Sequence, residues 1–491
     1  MKKLVAIILI LLLILCGCDS PTFTDTENVL GAYADKDEEA EYKSLTSITM
    51  LYYPDMDVNP ATTNCLANHE LLKYVYSPLL TVNDSFEPVC VLAKSFTRSG
   101  GTVTVTLRDD ILFSNGEPVT AQDVVKSFNA VKSQPSSPYY NSLSLMHRYY
   151  AQDNKTFVCQ FKYHDIDCAL MLDIPVMQDG KAGIGCGPYV FSEQNGKPVL
   201  VPNANYFEKA SVPLIKLVET KSDSYIDDMF SSGALDVMIS SAVDGLSLTS
   251  LRDYKIVSMP SNRFVYIGIN FKKPEFVSID VRRAISDIID KESIASKSLV
   301  DLATPTDYPF NPSWAKMKSA GADTVKSAKE SEKITALQIL RDIPLTVTVP
   351  SDSYKLTVAN ALAEQFRASG LTLNIRELDK ESYAAAVASG DFELYLGEIA
   401  VPHNMDPTAI YSINGALNFG GFADYEFDVT FDKYKTGSIE LKSYLEAFAQ
   451  KLPVIPLLFS KSVIYCADGI DEFSGCAPYS VYGNGAKLKL K

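Results

Sequence analysis

The chain has 491 residues, of which 46% are hydrophobic and 21% charged, and a formal net charge of −15. That length exceeds one hydrophobic core and calls for two or three domains; the composition excludes a disordered chain, and the acidic balance argues against nucleic acid as the partner.

Lys2 and Lys3 precede an apolar run from Leu4 to Leu15. The run is too short to span a bilayer comfortably and reads as the core of a signal peptide over residues 1–17. Leu15-Cys16-Gly17-Cys18 resembles a bacterial lipobox, which makes Cys18 the expected lipidated residue of the mature protein. Residues 18–44 carry Asp35-Lys36-Asp37-Glu38-Glu39 without apolar periodicity and read as a tether.

Residues 46–54 form the first expected strand, followed by a polar loop over 55–64 and a helix from Leu66 to Val75. Asn115-Gly116 is a turn pair, and Thr120 with Asp123 three residues later has the spacing of a capping box, leading into a stripe of Val124, Val125, Phe128 and Val131. Thr156 to Tyr163 is extended, and Ala169 to Val176 is a short apolar stretch. Gly183-Ile184-Gly185-Cys186-Gly187-Pro188-Tyr189 has no following Lys-Ser/Thr and no capped helix, so it is not a phosphate loop. No His lies near Cys186 in sequence, so a buried or disulfide-linked cysteine is expected there rather than a nucleophile.

Phe264, Tyr266, Ile267 and Ile269 read as a strand, and a helix is expected from Asp280 as N-cap, with Val281, Ala284, Ile285, Ile288 and Ile289 on one face. Later, Leu345 to Val349 alternates as a strand; Leu356, Ala359, Leu362, Ala363 and Phe366 line a helix that Gly370 stops; Leu371 to Ile375 is extended. Residues 382–389 are helical, Gly390 ends them, and Phe392 to Leu396 is the next strand. Two such crossovers imply parallel strands, and ligands of parallel α/β sheets sit beyond the strands' C-terminal ends. That rule points to Gly397, Glu398 and the loop to Pro407.

The segments "YIGINFKKPEF...DVRRAISDIIDKESI" at 266–294 and "FSNGEPVTAQDVV" at 113–125 carry a family resemblance. So do Gly185-Cys186-Gly187-Pro188-Tyr189, Asn203 to Phe207, Asp406-Pro407 and Leu452 to Leu457. With their spacing they resemble the large solute-binding proteins of ABC importers, family 5, which take up dipeptides, oligopeptides and nickel.

The resemblance implies an α/β fold of the periplasmic-binding-protein-like type II (large, cluster C) class: two lobes joined by a hinge, with an extra inserted subdomain. The implied division is 45–64, 185–264 and 471–491 for lobe I, 65–184 for the inserted subdomain and 265–470 for lobe II. The hinge is expected where 264–270 lies beside 466–475. The expected function is capture of a peptide or similar polar solute between the lobes and delivery to a permease that works with ATPase subunits. The alternative is a non-peptide ligand such as a nickel chelate or an oligosaccharide. A monomer without cofactor is expected; the lipobox-like Leu15 to Cys18 implies a lipid anchor on the extracytoplasmic face of the cell membrane, and the lack of GxSxG and Walker A motifs leaves hydrolase and ATPase readings without their chemistry.

It also implies ligand contacts from Asn59, Thr62, Thr63 and Asn64, from Gly185 and Cys186, and from Asn418 and Phe419. Asn59 to Asn64 are equally well explained as a loop capping the next helix, and Phe419 as a plug for lobe II. Peptide-binding relatives place an ammonium-binding Asp where this chain has His403, which puts that contact in doubt and leaves Glu398 as a substitute carboxylate; Asp406 is expected to hold its loop. Cys466 and Cys476 are the expected disulfide pair, with two free buried cysteines as the open alternative; Cys159 with Cys168 is a weaker pair. His69, His147, His164 and His403 lie in no metal-binding or hydrolase motif, and no metal site is expected.

Overall fold

The computed structural model describes residues 46–54, 58–63, 65–220, 225–241, 254–326, 328–351, 354–473, 480–483 and 488–491. The expected signal peptide and tether, Cys18, Asn64 and Cys476 lie outside the described residues.

The first region supplies β1 (Ile48–Tyr52) and then an excursion of six strands: β2 (Leu80–Val82), β3 (Pro88–Cys90), β4 (Ala93–Ser99), β5 (Thr102–Leu107), β6 (Met146–Ala151) and β7 (Thr156–Phe161). β2 and β3 pair as a hairpin, while β4-β5-β7-β6 form an antiparallel sheet of their own. The chain then gives β8 (Tyr189–Gln194), β9 (Lys197–Pro202), β10 (Ile215–Glu219), β11 (Val237–Ser241) and the 16-residue β12 (Tyr254–Ile269). A second region holds β13 (Ala303–Pro305), β14 (Leu345–Pro350), β15 (Leu373–Leu378) and β16 (Leu394–Ala400). β17 (Ile455–Ala467) returns the chain to the first region, where β18 (Ile470–Phe473) and β19 (Leu488–Leu490) pair.

One 11-stranded sheet runs through both regions in the order β15-β14-β16-β12-β17-β11-β1-β10-β9-β8, with β13 on β17. β14 pairs parallel with both β15 and β16, as the crossover argument requires. Among the described residues two large cores are formed, beside a smaller one around Leu51, Phe230 and Tyr465. One large core gathers Ile48, Val105, Phe128, Cys186 and Tyr189; the other gathers Phe264, Ile285, Trp314, Leu362, Leu396 and Phe448. Val82, Phe86 and Leu170 come from the first half of the chain but pack in the second core.

β12 and β17 serve both cores. Residues 254–260 of β12 pair with 461–467 of β17, which also carries β11; residues 263–269 pair with β16 and with 455–459. The register breaks between Pro260 and Phe264, where proline cannot donate to the ladder. There Ser261 Oγ donates to Ser460 O at 2.7 Å and Asn311 Nδ2 donates to Ser261 O at 2.7 Å. The crossing therefore lies at 260–263 and 460–461, and the expected apposition of 264–270 with 466–475 is not formed.

Local sequence signals explain much of this. Thr120 and Asp123 form the capping box, and the helix Ala121–Lys132 buries Val124, Phe128 and Val131. Gly116 has φ 88°, and Asn115 Oδ1 accepts from Glu117 N at 3.1 Å. On the β12–β16 ladder Tyr266 faces Gly397 and Gly268 faces Tyr395. A Cβ on Gly397 would stand 2.4 Å from the Tyr266 ring, and one on Gly268 2.0 Å from that of Tyr395, so both glycines are required for the two rings to cross the ladder. One expectation needs correction: the helix Ile279–Ile288 has Ser278, not Asp280, at its N-cap position. Pro274 opens an earlier short helix, Pro274–Val277, and Asp280 falls inside the following first turn, where its charge favours the helix dipole.

Candidate functional site at the seam between the two cores

β16 ends at Ala400, and the loop that follows lies beyond the C-terminal end of a strand parallel to β14. Glu398, near that end, is committed within the second region. Arg263 grips its Oε1 through Nε and a second guanidinium nitrogen, Tyr354 donates to Oε2 at 2.7 Å, and Lys355 Nζ stands 3.8 Å away. Burial alone pushes the Glu398 carboxyl up, but Arg263 and Lys355 with the Tyr354 hydroxyl outweigh it and hold the group below its ordinary value. A ligand amine approaching Glu398 would meet a carboxylate whose charge is already answered.

The loop beyond it faces the first half of the chain. Residues 165–173 present three carboxylates to it. Asp165 and Asp167 receive Lys435 Nζ at 2.7 and 3.0 Å, Asp167 is also gripped by Lys316, and Asn404 Nδ2 donates to Asp165 Oδ2 at 2.9 Å. The backbone joins in, Ile166 N donating to Lys435 O at 2.9 Å. Burial works against the ammonium of Lys435, but Asp167 and Asp165 reverse this and raise it above its ordinary value. The third carboxylate, Asp173, lies 3.0 Å from His403 Nδ1 through Oδ2, at ion-pair distance but off hydrogen-bond alignment. Its Oδ1 is buried without a hydrogen-bond partner, as is Oδ1 of Asn404, a residue 4% exposed.

The expected site residues divide accordingly. His403 lies on the seam. Asp406 holds the loop, its Oδ1 accepting from Thr408 N at 3.0 Å and from Thr408 Oγ1 at 2.5 Å. It also borders a cavity of about 300 Å³ lined by Ser412, Tyr425, Asp428 and Asp432. Asn418 spends its amide inside its own loop, donating to Ser412 O and Phe422 O and accepting from Gly421 N and Phe422 N. Phe419 packs half-buried on the second core, the plug role.

Asn59 accepts from Ala61 N at 3.0 Å through its side chain, and Thr63 is buried with Oγ1 unpartnered. Gly185 and Cys186 belong to the first core: a Cβ on Gly185 would lie 2.1 Å from Val75 O, and Cys186 is 1% exposed with its thiol pushed up to about 12 by burial. Cys466, Cys159 and Cys168 are free thiols, so neither expected bridge is formed by them; Cys476 lies outside the described residues. Cys466 Sγ instead sits 3.4 Å from Lys255 O in the β12–β17 ladder. Among the described residues no group of three or more His, Cys, Asp or Glu is placed to hold a metal ion.

Sequence reasoning missed Asp165, Asp167, Asp173, Lys316, Asn404 and Lys435. Asp173 had a signal: a lone carboxylate inside the apolar run Ala169 to Val176, where an ionised group must find a partner or serve a purpose.

The family model "Bacterial extracellular solute-binding proteins, family 5 Middle" matches residues 87–421. The oligopeptide-binding protein OppA of Bacillus subtilis (strain 168) is 21% identical over 94% of each chain. The nickel-binding periplasmic protein of Escherichia coli (strain K12) is 27% identical, over 49% of this chain and 51% of its own length. In three dimensions the ABC transporter substrate-binding protein CtaP of Listeria monocytogenes superposes with a TM-score of 0.74 at 19% identity, covering 91% of this chain and all of the other. The family model spans more than half of the chain, including residues 165–173 and 397–407; the chain belongs to the family 5 bacterial extracellular solute-binding proteins, with their two-lobed α/β periplasmic-binding-protein-like type II fold.

Proposed function

We infer that this protein is a lipid-anchored receptor that closes two lobes on a short peptide and presents it to an ABC permease. Its place as the non-catalytic substrate-binding component of an ABC importer, taking a peptide or small polar solute outside the cytoplasm, follows from family membership. The peptide assignment and the anchor at Cys18 are our own.

The observation that carries the reading is the seam. The loop after β16, where a parallel sheet presents its ligands, meets residues 165–173 of the other half through charged and amide groups, beside the apolar packing of Leu170 in the core that also holds Val401 and Met405. Groups of that kind suit the amines, carboxylates and amides of a peptide. The division proposed is 45–64, 185–264 and 471–491 for lobe I, 65–184 for the inserted subdomain and 265–470 for lobe II, and the register break argues for moving its two crossings to 260–263 and 460–461.

Thermal-shift screening against pooled peptides, amino acids, sugars and nickel chelates tests the ligand class. Stabilisation by peptides is expected, because a ligand bound only by the folded state raises the melting temperature by mass action. Stabilisation by a nickel chelate or a sugar alone would replace peptide with that ligand. For the anchor, intact mass of membrane-extracted protein should show loss of residues 1–17 and added acyl mass on Cys18; a soluble form keeping those residues would contradict it.

A further inference from the structure

We propose that Asp173 is the carboxylate that recognises a protonated primary amine of the ligand, with Asn404 supplying a second acceptor from the opposite side of the seam. This deepens the peptide reading and rests on it. Residues 165–173 carry three carboxylates, Asp165, Asp167 and Asp173. Two are answered inside the protein, Asp165 and Asp167 by Lys435 and Lys316. Asp173 has only His403 at ion-pair distance, on one oxygen, and its other oxygen is buried with no donor.

The nearby His69 supplies no cation. Its imidazole, held at 2.9 Å from the Tyr139 hydroxyl, is lowered from its ordinary value by burial and by Lys73, which favours the neutral form at neutral pH. Lys73 itself is taken by Glu70 at 2.5 Å. One residue along from His403, the Asn404 amide donates to Asp165, which fixes its Oδ1 as an acceptor, buried and again without a donor.

An orphaned buried acceptor costs free energy that its proper partner returns. Two acceptors, one of them charged, one on Asp173 and the other on the residue next to its neighbour His403, ask for a group with several N–H donors and a positive charge. An –NH₃⁺ group has three donors and no acceptor; a hydroxyl or an amide would leave the charge of Asp173 unanswered. Glu398 does not compete for that role, since Arg263 and Tyr354 occupy its oxygens.

The test is native mass spectrometry of the full-length protein in detergent with a pool of tri- to pentapeptides, free or N-acetylated. The parent should prefer free amino termini by about 30-fold or more, the lower end for a buried charged hydrogen-bonded pair. Asp173→Asn should bring that preference close to unity while shifting the melting temperature by less than about 2 °C. His403→Gln should keep the preference, because it removes the neighbouring imidazole and not the anchor.

Asp173→Asn that keeps the preference overturns the assignment and leaves the peptide reading intact, and so does loss of preference in His403→Gln to the same degree. A parent that retains no peptide of either form overturns the peptide reading and the role of Asp173 with it.

Discussion

Two groups of side chains bridge the same seam, and they differ in how fully they are satisfied. Around Lys435 the positive charge meets Asp165 and Asp167, Lys316 adds to Asp167, Asn404 donates to Asp165, and the backbone of Ile166 is bonded as well. At Asp173, a few residues along the same segment, one oxygen faces His403 and the other has no donor. A complete buried network fixes two elements against each other, whereas an incomplete one keeps free energy in reserve for whatever completes it. On the proposal made above, the contrast separates the part of the seam that holds the fold from the part that would respond to ligand.

The strongest way to break the contrast is Lys435→Met. It takes the ammonium partner from buried Asp165 and leaves Asp167 with Lys316 alone, and should cost about 3–5 kcal/mol in denaturant unfolding. The relative affinity for free and acetylated peptides should nevertheless be kept in whatever fraction remains folded. A loss under about 1 kcal/mol would place that network outside the folding core.

A second comparison comes from acid titration of Glu70, buried in the first region and held by Lys73 at 2.5 Å and by Val481 N at 2.7 Å. Burial pushes its carboxyl up, but Lys73 and His69 together bring it down to about 2. Because the folded value lies below the unfolded one, its stabilisation is present above the unfolded carboxylate range and is lost as pH falls from about 4.5 towards 2, on the order of 3 kcal/mol in all. Glu70→Gln should flatten the acid limb of the stability profile, and an unchanged limb would contradict the assignment.

Smaller effects sharpen the picture. Glu398→Gln removes a partner of the half-exposed Arg263 and should cost about 1 kcal/mol after solvent screening, with peptide selectivity by calorimetry changed less than about 3-fold. Thr120→Ala, far from the seam in sequence, should cost about 1 kcal/mol through the lost helix cap and leave binding alone.

Much of the fold was legible because its signals are local. The Thr120–Asp123 box, the turn at Gly116, the stop at Gly390 and the alternation of Leu345 to Val349 each lie within a few residues and carry their own geometry. The candidate site was legible only on one side. The parallel-strand rule led to the 397–407 loop, but the groups that face it come from residues 165–173, more than 200 positions earlier, and no pattern of spacing announces such a pairing. Glu398 shows the same limit: its partner Arg263 is 135 positions away, so a carboxylate that reads as available in sequence is neutralised in the fold. The hinge was misplaced by a few residues because the strand runs on through it; only the paired register reveals the break at 260–263.

Hydrogen exchange with and without a saturating free-amine peptide tests the central claim, that ligand is taken at the seam between the two cores, most directly. Slowed exchange is predicted in 401–405 and 172–177 together, with 260–263 altered as the lobes turn and with 418–422, bonded within its own loop, unchanged. Protection confined to one side of the seam, or found around 418–422 with 172–177 unaffected, would contradict it.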